Sequence, residues 1–325
     1  MSCKWRPRGL SSFAALVVAT AAMAGVAHAS RSTTAGPNGL IVYAVELKSD
    51  QYQLFTIRPD GSNRTQLTRG QGSSLNADWS PDGRSLVYEL SRADTAGVAV
   101  AALEGSDPPK VLTPTGFQGQ PSFSPDGKWI VYERDIDSGN NGVWLMRADG
   151  TQKHRVTRNP FMKALNGECG CDTDPNFSPD GKWITFVRVK KDHEQQALFA
   201  VRPNGKGLHP LTPYSWEIAV KHDWSPDGKH IVLTDNADFV RPQDSANIVT
   251  ITPSGSDPTA LTTFTGGEQN GYVGSFSPDG KQIVFRLERR GKYALAVIDR
   301  GGHNMRLITK LSAAKPRFID WGTHP

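Results

Sequence analysis

Cysteine is scarce in this chain. Of its 325 residues three are cysteine, and Cys3 falls in a predicted export signal, so the remainder can form one disulfide and no more. Clusters of like charge are missing too. The net charge of +5 includes Lys4, Arg6 and Arg8 of that signal, which holds no acid, so the rest of the chain carries +2. The densest basic run, Arg188-Val189-Lys190-Lys191, is followed at once by Asp192 and Glu194. A nucleic-acid binder clusters its Lys and Arg, so no nucleic-acid partner is expected. No G-x-S-x-G nucleophile elbow and no phosphate loop occurs, which removes the usual hydrolase domain. His193-Glu194-Gln195-Gln196-Ala197 begins like a zinc-protease helix but has Ala where the second His must stand. No catalytic residue is assigned.

The one long apolar stretch is N-terminal. Lys4, Arg6 and Arg8 precede Phe13 to Val26, and Ala27-His28-Ala29 then gives an A-x-A cleavage pattern. The stretch is Ala-rich and shorter than the ~20 residues that span a bilayer, so residues 1–29 read as a cleaved signal peptide and no membrane span remains after its removal. No Cys follows to accept a lipid, and Arg6-Pro7-Arg8 is not a twin-arginine pair. The expected location is outside the cell or in the periplasm or cell envelope.

What the chain has in abundance is a repeat. An aromatic residue, Ser-Pro-Asp-Gly and an apolar run occur together at Trp79 to Gly83, Phe123 to Gly127, Phe177 to Gly181, Trp224 to Gly228 and Phe276 to Gly280, with a degenerate copy at Pro37-Asn38-Gly39. Successive glycines are 44, 44, 54, 47 and 52 residues apart, a period that belongs to propeller blades. Proline presets the second position of a type I turn, Asp suits the third, and Gly takes the left-handed conformation that closes a hairpin. The run that follows, as in Trp129-Ile130-Val131-Tyr132, is apolar on successive residues, so both faces of that strand are covered. A third strand ends at turns such as Asp60-Gly61, Asp149-Gly150 and Asn204-Gly205, and a fourth reaches Leu67-Thr68, Leu112-Thr113, Val156-Thr157, Leu211-Thr212, Leu261-Thr262 or Ile308-Thr309.

The first copy lacks an aromatic strand, while Phe318-Ile319-Asp320-Trp321 is an aromatic strand with nothing after it. Joined, they complete one blade. The expected fold is all-β: a six-bladed β-propeller over residues 36–325, with four antiparallel strands per blade and the ring closed by the C-terminal strand, after a short lead at 30–35. Closure leaves no free sheet edge.

The Ser-Pro-Asp-Gly-Lys repeats resemble the WD40-like (PD40) repeats of the TolB propeller family, and similar repeats form the propellers of prolyl oligopeptidase relatives. The family carries an extra N-terminal α/β domain, whereas here only Ser30 to Ala35 precede the first blade. The repeats specify fold and leave function open.

Fold geometry puts the short turns on one face of the disc and the variable loops on the other. The loops supply Phe161, Tyr214, Trp216, His222, Phe239, Arg241, Glu268 and Tyr272, residue types that dominate binding hot spots. They form the expected ligand site, with plugging of the channel mouth as the alternative. The expected function is a binding or scaffold module for a protein, peptide or glycan, acting as a monomer. The alternative is a metal-assisted lyase or hydrolase on that face. No cofactor is expected. Glu168, Asp172 and Asp174 are weak candidates for Ca²⁺ or Zn²⁺, since the loop matches no standard ligand spacing for either. Cys169 and Cys171 are a disulfide candidate if Gly170 folds the loop tightly, with a redox or metal role as the other option. One residue before each aromatic stands Asp78, Ser122, Asn176, Asp223, Ser275 or Asp320. Short polar side chains there suit capping of turn or neighbouring-blade backbone; a ring of carboxylates around a cation is the competing reading.

Overall fold

The computed structural model describes residues 36–48, 51–104, 108–114, 117–135, 142–160, 170–190, 195–235 and 245–324. The signal-peptide stretch therefore lies outside the described residues. Those described form six four-stranded antiparallel sheets arranged as blades. From the axis outward, blade two runs Ser73–Trp79, Ser85–Ser91, Ala96–Ala102 and Lys110–Val111. Blade three is Phe117–Phe123, Trp129–Asp135, Gly142–Arg147 and His154–Arg155; blade four is Asp172–Phe177, Ile184–Val189, Gln196–Val201 and His209–Pro210. Blade five is His222–Trp224, Ile231–Asp235, Asn247–Ile251 and Thr259–Ala260; blade six is Gln269–Phe276, Gln282–Arg289, Lys292–Asp299 and Arg306–Leu307. Blade one takes Asn38–Lys48, Gln51–Ile57 and Thr65–Gln66 from the N-terminal side and its innermost strand, Arg317–Thr323, from the other end of the chain.

The closing pair is antiparallel, with Ile41 opposite Trp321 and Val42 opposite Asp320. Here the degenerate Pro37-Asn38-Gly39 departs from the repeat. Gly39 lies within a strand and is not left-handed, because strands that come from opposite chain ends need no turn. Its lack of a side chain serves close approach instead, since a Cβ would collide with the Thr323 carbonyl.

Apolar side chains gather in six clusters, each straddling one blade interface. Between blades two and three, Val87, Val98 and Leu112 meet Phe123, Ile130 and Met146. Between six and one, Val284, Leu295 and Ile308 meet Ile41, Phe55 and Trp321. This is why the second strand is apolar on both faces: each sheet is covered by a neighbour on either side.

Two repeated devices finish each blade. In the five Ser-Pro-Asp-Gly turns the Ser hydroxyl donates to the Asp carboxylate, and the same carboxylate accepts the N–H of the residue after Gly. The five glycines have φ between 67° and 69°. At the outer edge, where the fourth strand is only two residues long, a Thr hydroxyl replaces the missing backbone acceptor. Thr68, Thr113, Thr157, Thr212, Thr262 and Thr309 accept N–H groups of Leu54, Val98, Val143, Leu198, Ile248 and Leu295 at 2.7–3.0 Å. That is the physical reason for the recurring Leu-Thr.

Gly127 and Gly83 share turn and backbone conformation, but an added Cβ meets only Pro81 in ordinary contact at Gly127 and the Thr323 carbonyl of the closing strand at Gly83. Gly127→Ala should cost the left-handed strain alone, about 1–2 kcal/mol, and Gly83→Ala should cost a further ~1–3 kcal/mol through overpacking against that strand. Urea midpoints measure both; equal losses would mean that the closing strand does not press on this turn.

Candidate functional site

The six innermost strands surround the axis. In blades two, three and four each carries a bulge at the same place, with pairing registers shifting at Leu75/Asp78, Gly119/Ser122 and Thr173/Asn176. The residues inside these bulges, Asn76, Gln120 and Asp174, are left-handed with φ of 46–48°, as is Phe318 of blade one at 50°. Left-handed residues other than glycine are strained, and the strain turns these side chains toward the axis. They line a narrow cavity with Asp78, Asn176 and Lys221. Its volume is about 10 Å³, room for about one water, so this cavity takes no organic ligand.

The residues preceding the aromatics form a belt around this cavity. The carboxylate of Asp78 accepts the Phe123 N–H at 2.8 Å, Asp223 that of Phe276 at 2.8 Å, and Asp320 that of Trp79 at 3.1 Å. The Ser275 hydroxyl accepts the Trp321 N–H at 3.1 Å. Each bond runs from one blade to the next, which is the backbone-capping role expected of these positions.

Burial, with the Asp320 charge, holds Asp78 well above the ordinary carboxylate range and pushes Asp223 up to about 7. Lys221 sits among them, 3.7 Å from Asp174. Burial works against its charge, but Asp174, Asp320, Asp223 and Asp78 together outweigh that and keep the ammonium above its usual range. Burial likewise raises Asp174, and the Lys221 and His222 contacts more than reverse it, leaving that carboxyl lowered.

His222 requires a correction. The sequence placed it on an exposed loop; it is fully buried at the start of a strand, in the channel wall. Its Nε2 lies 2.9 Å from Thr185 Oγ1 and its Nδ1 3.1 Å from Asp174. The order carboxylate, imidazole, hydroxyl is that of a nucleophile triad. Thr185 is nevertheless fully buried, and its hydroxyl accepts the Trp224 indole N–H at 2.8 Å and donates to the Asn176 carbonyl at 3.3 Å. No substrate reaches it, and the group joins blades four and five.

The other sequence candidates separate. Tyr214 and Trp216 bound a 3₁₀ turn on the loop face, half-buried, with the Lys190 ammonium 4.0 Å from the Tyr214 ring. Tyr272 is half-buried on the first strand of blade six, with the Arg286 guanidinium 4.1 Å from its ring. Glu268 is exposed and paired with Arg290 at 2.7 Å. Asp172 is fully buried; Arg188 donates to both its oxygens at 2.7 Å and Thr157 donates at 2.6 Å. Its oxygens are held by Arg188 and Thr157 while those of Asp174 face Lys221 and His222, so the two do not converge as metal ligands. Among the described residues no three of His, Cys, Asp and Glu gather as a metal site. Phe161, Glu168, Cys169, Phe239 and Arg241 lie outside the described residues; Cys171 is buried.

Sequence reading missed Asn76, Gln120, Lys221 and Phe318 as axis-lining residues. A signal was present: each stands two positions before a belt residue, in Asn76-Ala77-Asp78, Gln120-Pro121-Ser122, Lys221-His222-Asp223 and Phe318-Ile319-Asp320.

A model of the TolB beta propeller domain matches residues 38–323. Among relatives, the dipeptidyl-peptidase 5 of Porphyromonas endodontalis is 28% identical over 282 residues, covering 78% of this chain and 36% of that protein. The TolB homolog of Chlorobium luteolum is 28% identical over 160 residues, 48% of this chain and 33% of that protein. The aligned parts are thus about a third of each relative's length. The crystal structure of TolB from Acinetobacter baumannii superposes with a TM-score of 0.70 at 22% identity, covering 88% of this chain and 67% of that one. No helix among the described residues is long and apolar enough to cross a membrane.

Asp223→Asn retains an acceptor for the Phe276 N–H and removes the raised carboxyl. A carboxyl raised in the native state contributes full stability below about pH 4, its unfolded pKa, and loses it as pH rises through the native value near 7. The variant should therefore match wild type near pH 4 and exceed it at pH 8, by at most about 4 kcal/mol. Thermal melts across pH check this; a difference independent of pH would show that Asp223 titrates normally.

Proposed function

The chain belongs to the TolB β-propeller family, and from that premise we propose that it is an exported binding module that engages a protein partner through the variable-loop face of its disc. The family supports a binding or scaffold role. One observation carries the choice of face. The loop side presents four half-buried aromatic rings each bearing a cation, Arg134 with Trp144, Lys190 with Tyr214, Arg286 with Tyr272 and Lys315 with Tyr293, against two on the turn side, Arg147 with Trp129 and Arg202 with Trp183, among the described residues. Such pairs hold large side chains in fixed positions and lower the entropy lost on binding. The polar residues around the axis, by contrast, are spent on joining blades, and the cavity between them has room for about one water. The peptidase relative matches this chain over about a third of its length, so its name does not extend to this protein. The cysteine pair, any cofactor and the oligomeric state form no part of the reading.

The faces label themselves with lysine. Lys128, Lys182, Lys229 and Lys281 follow the glycines of the short turns, while Lys48, Lys190, Lys292 and Lys315 lie at strand ends on the loop side. Amine-reactive cross-linking of the protein in its native envelope, followed by peptide mapping, should join partners to the second set. Partners joined to the first set alone would put the interface on the other face.

Export has its own signature. Cleavage after Ala29 leaves Ser30 as the first residue, which intact-mass measurement and N-terminal sequencing of the protein from the extracellular or periplasmic fraction should show. A chain retaining residues 1–29 in that fraction would overturn the signal-peptide reading.

A further inference from the structure

Equivalent positions around the ring reveal one interface built unlike the rest. The fifth residue counted from the turn on each second strand reaches toward the first strand of the next blade. In blade two, Glu89 accepts the Gln120 N–H at 3.2 Å and bonds the Asn76 amide. In blade three, Glu133 accepts the Thr173 hydroxyl at 2.6 Å; in blade five, Thr234 accepts the Val273 N–H at 2.9 Å. Each of these is a partnered bridge between blades. In blade six the residue is Arg286, and the first strand it faces, that of blade one, begins with Arg317. Arg317 stands three residues before Asp320, as Thr173 stands three before Asn176. Blades one and four carry Ala44 and Val187 at this position, in apolar interfaces; the three polar interfaces pair an acceptor with a donor, whereas this one sets two guanidinium groups together.

Among the described residues no carboxylate forms an ion pair with either of them. Arg286 lies 4.1 Å from the Tyr272 ring and Arg317 5.6 Å from the Tyr52 ring. The Nε atoms of both are buried without a hydrogen-bond acceptor, and among the described residues neither guanidinium has an ion-pair partner. Burial first, and the Arg317 charge with it, bring Arg286 down to about 10, against the opposing influence of Tyr272 and Glu288. A third cation, Lys315, is lowered by burial and by the same two arginines. The nearby carboxylate, Glu288, is taken by Lys315 at 3.4 Å. Half-buried like charges without an ion-pair partner cost stability, and that cost falls at the loop-face end of the strands, where a partner can reach.

We propose that Arg286 and Arg317, with Lys315 beside them, form an anion site at the loop-face mouth of the channel that receives a carboxylate from an acidic segment of a protein partner. The inference rests on the proposed loop-face binding function and names the chemistry of the partner. Arg presents a planar fork that matches a carboxylate. The adjoining loop side of blade six adds the exposed Arg289 and Lys292, beside Arg290 in its pair with Glu268, so a run of acidic residues fits the sector better than a single small anion does.

The test uses the full mature chain and two capped peptides, acetyl-tetraglutamate amide and acetyl-tetraglutamine amide, followed by thermal shift and by the arginine Nε–H resonances in NMR. The glutamate peptide should raise the melting temperature of wild type and move two Nε–H resonances, and the glutamine peptide should do neither. Arg286→Met and Arg317→Met should each weaken binding by about tenfold or more, the effect of losing a charge-assisted contact. With no peptide at low salt, Arg286→Met should melt higher than wild type, because a like charge is removed. No response of wild type to the glutamate peptide, or an equal response in both variants, overturns the site. Should one variant fail to fold, the other and the wild-type resonances decide. Cross-links on the loop face with no glutamate response would leave the binding face standing and remove this site; cross-links on the turn face with a glutamate response would do the reverse.

Discussion

A four-stranded sheet that is apolar on both sides cannot stand in water, and a stack of such sheets always ends in two uncovered faces. Closing the stack on itself removes the ends. The rest of this structure follows from that demand. It explains why apolar clusters straddle interfaces instead of filling blades, as where Val131 and Leu145 of blade three pack on Phe177 and Phe186 of blade four. It also explains why blade one borrows its innermost strand from the far end of the chain, since only a hydrogen-bonded seam there holds the ring shut.

Polar groups complete what apolar contact alone leaves unspecified. Apolar faces slide, whereas a carboxylate that accepts one particular N–H or O–H fixes the angle between blades. Asp78, Asp223 and Asp320 do this near the axis, and Glu89 and Glu133 do it one step toward the loop side. Burial, and with it the Asp320 charge, raises the pKa of Asp78 and Asp223. Lys221 offsets part of that rise. The concentration of charge on the axis therefore has a structural origin, and resemblance to a catalytic centre, as in Asp174, His222 and Thr185, follows from the need to join blades.

The blades were legible in the sequence because their turns are local. Proline, Asp and left-handed Gly act within five residues, and each of the five full copies folds as its chemistry requires. The function of Ser in the motif was less plain, since its bonds to Asp and to the N–H five residues on appear only in three dimensions. Gly39 misled for a related reason: its sequence resembles a turn glycine, but its role is close packing against a strand almost the whole chain away. The bulges were invisible because Asn76, Gln120, Asp174 and Phe318 adopt one conformation with four different side chains. His222 was misplaced because a three-residue strand gives too little alternation to show where a loop stops. The pairing of Arg286 with Arg317 lies beyond sequence reading altogether, since each looks like an ordinary surface arginine until the ring brings their strands side by side.

The seam in blade one also sets an order of events in time. The bond from Trp79 to Asp320 joins residues 241 apart, and contacts of such separation form late, because a long loop must close before they reward it. A chain made from its N-terminus delivers five and three-quarter blades before the strand that locks them. Until that strand arrives, blade one offers an unpaired edge and its neighbours an uncovered apolar face, the features that attract aggregation and chaperones. The slowest and most vulnerable moment in folding is therefore the docking of the last strand, and a substitution such as one at Gly322, whose added Cβ would strike the Trp79 ring, would act first on how much protein survives that moment.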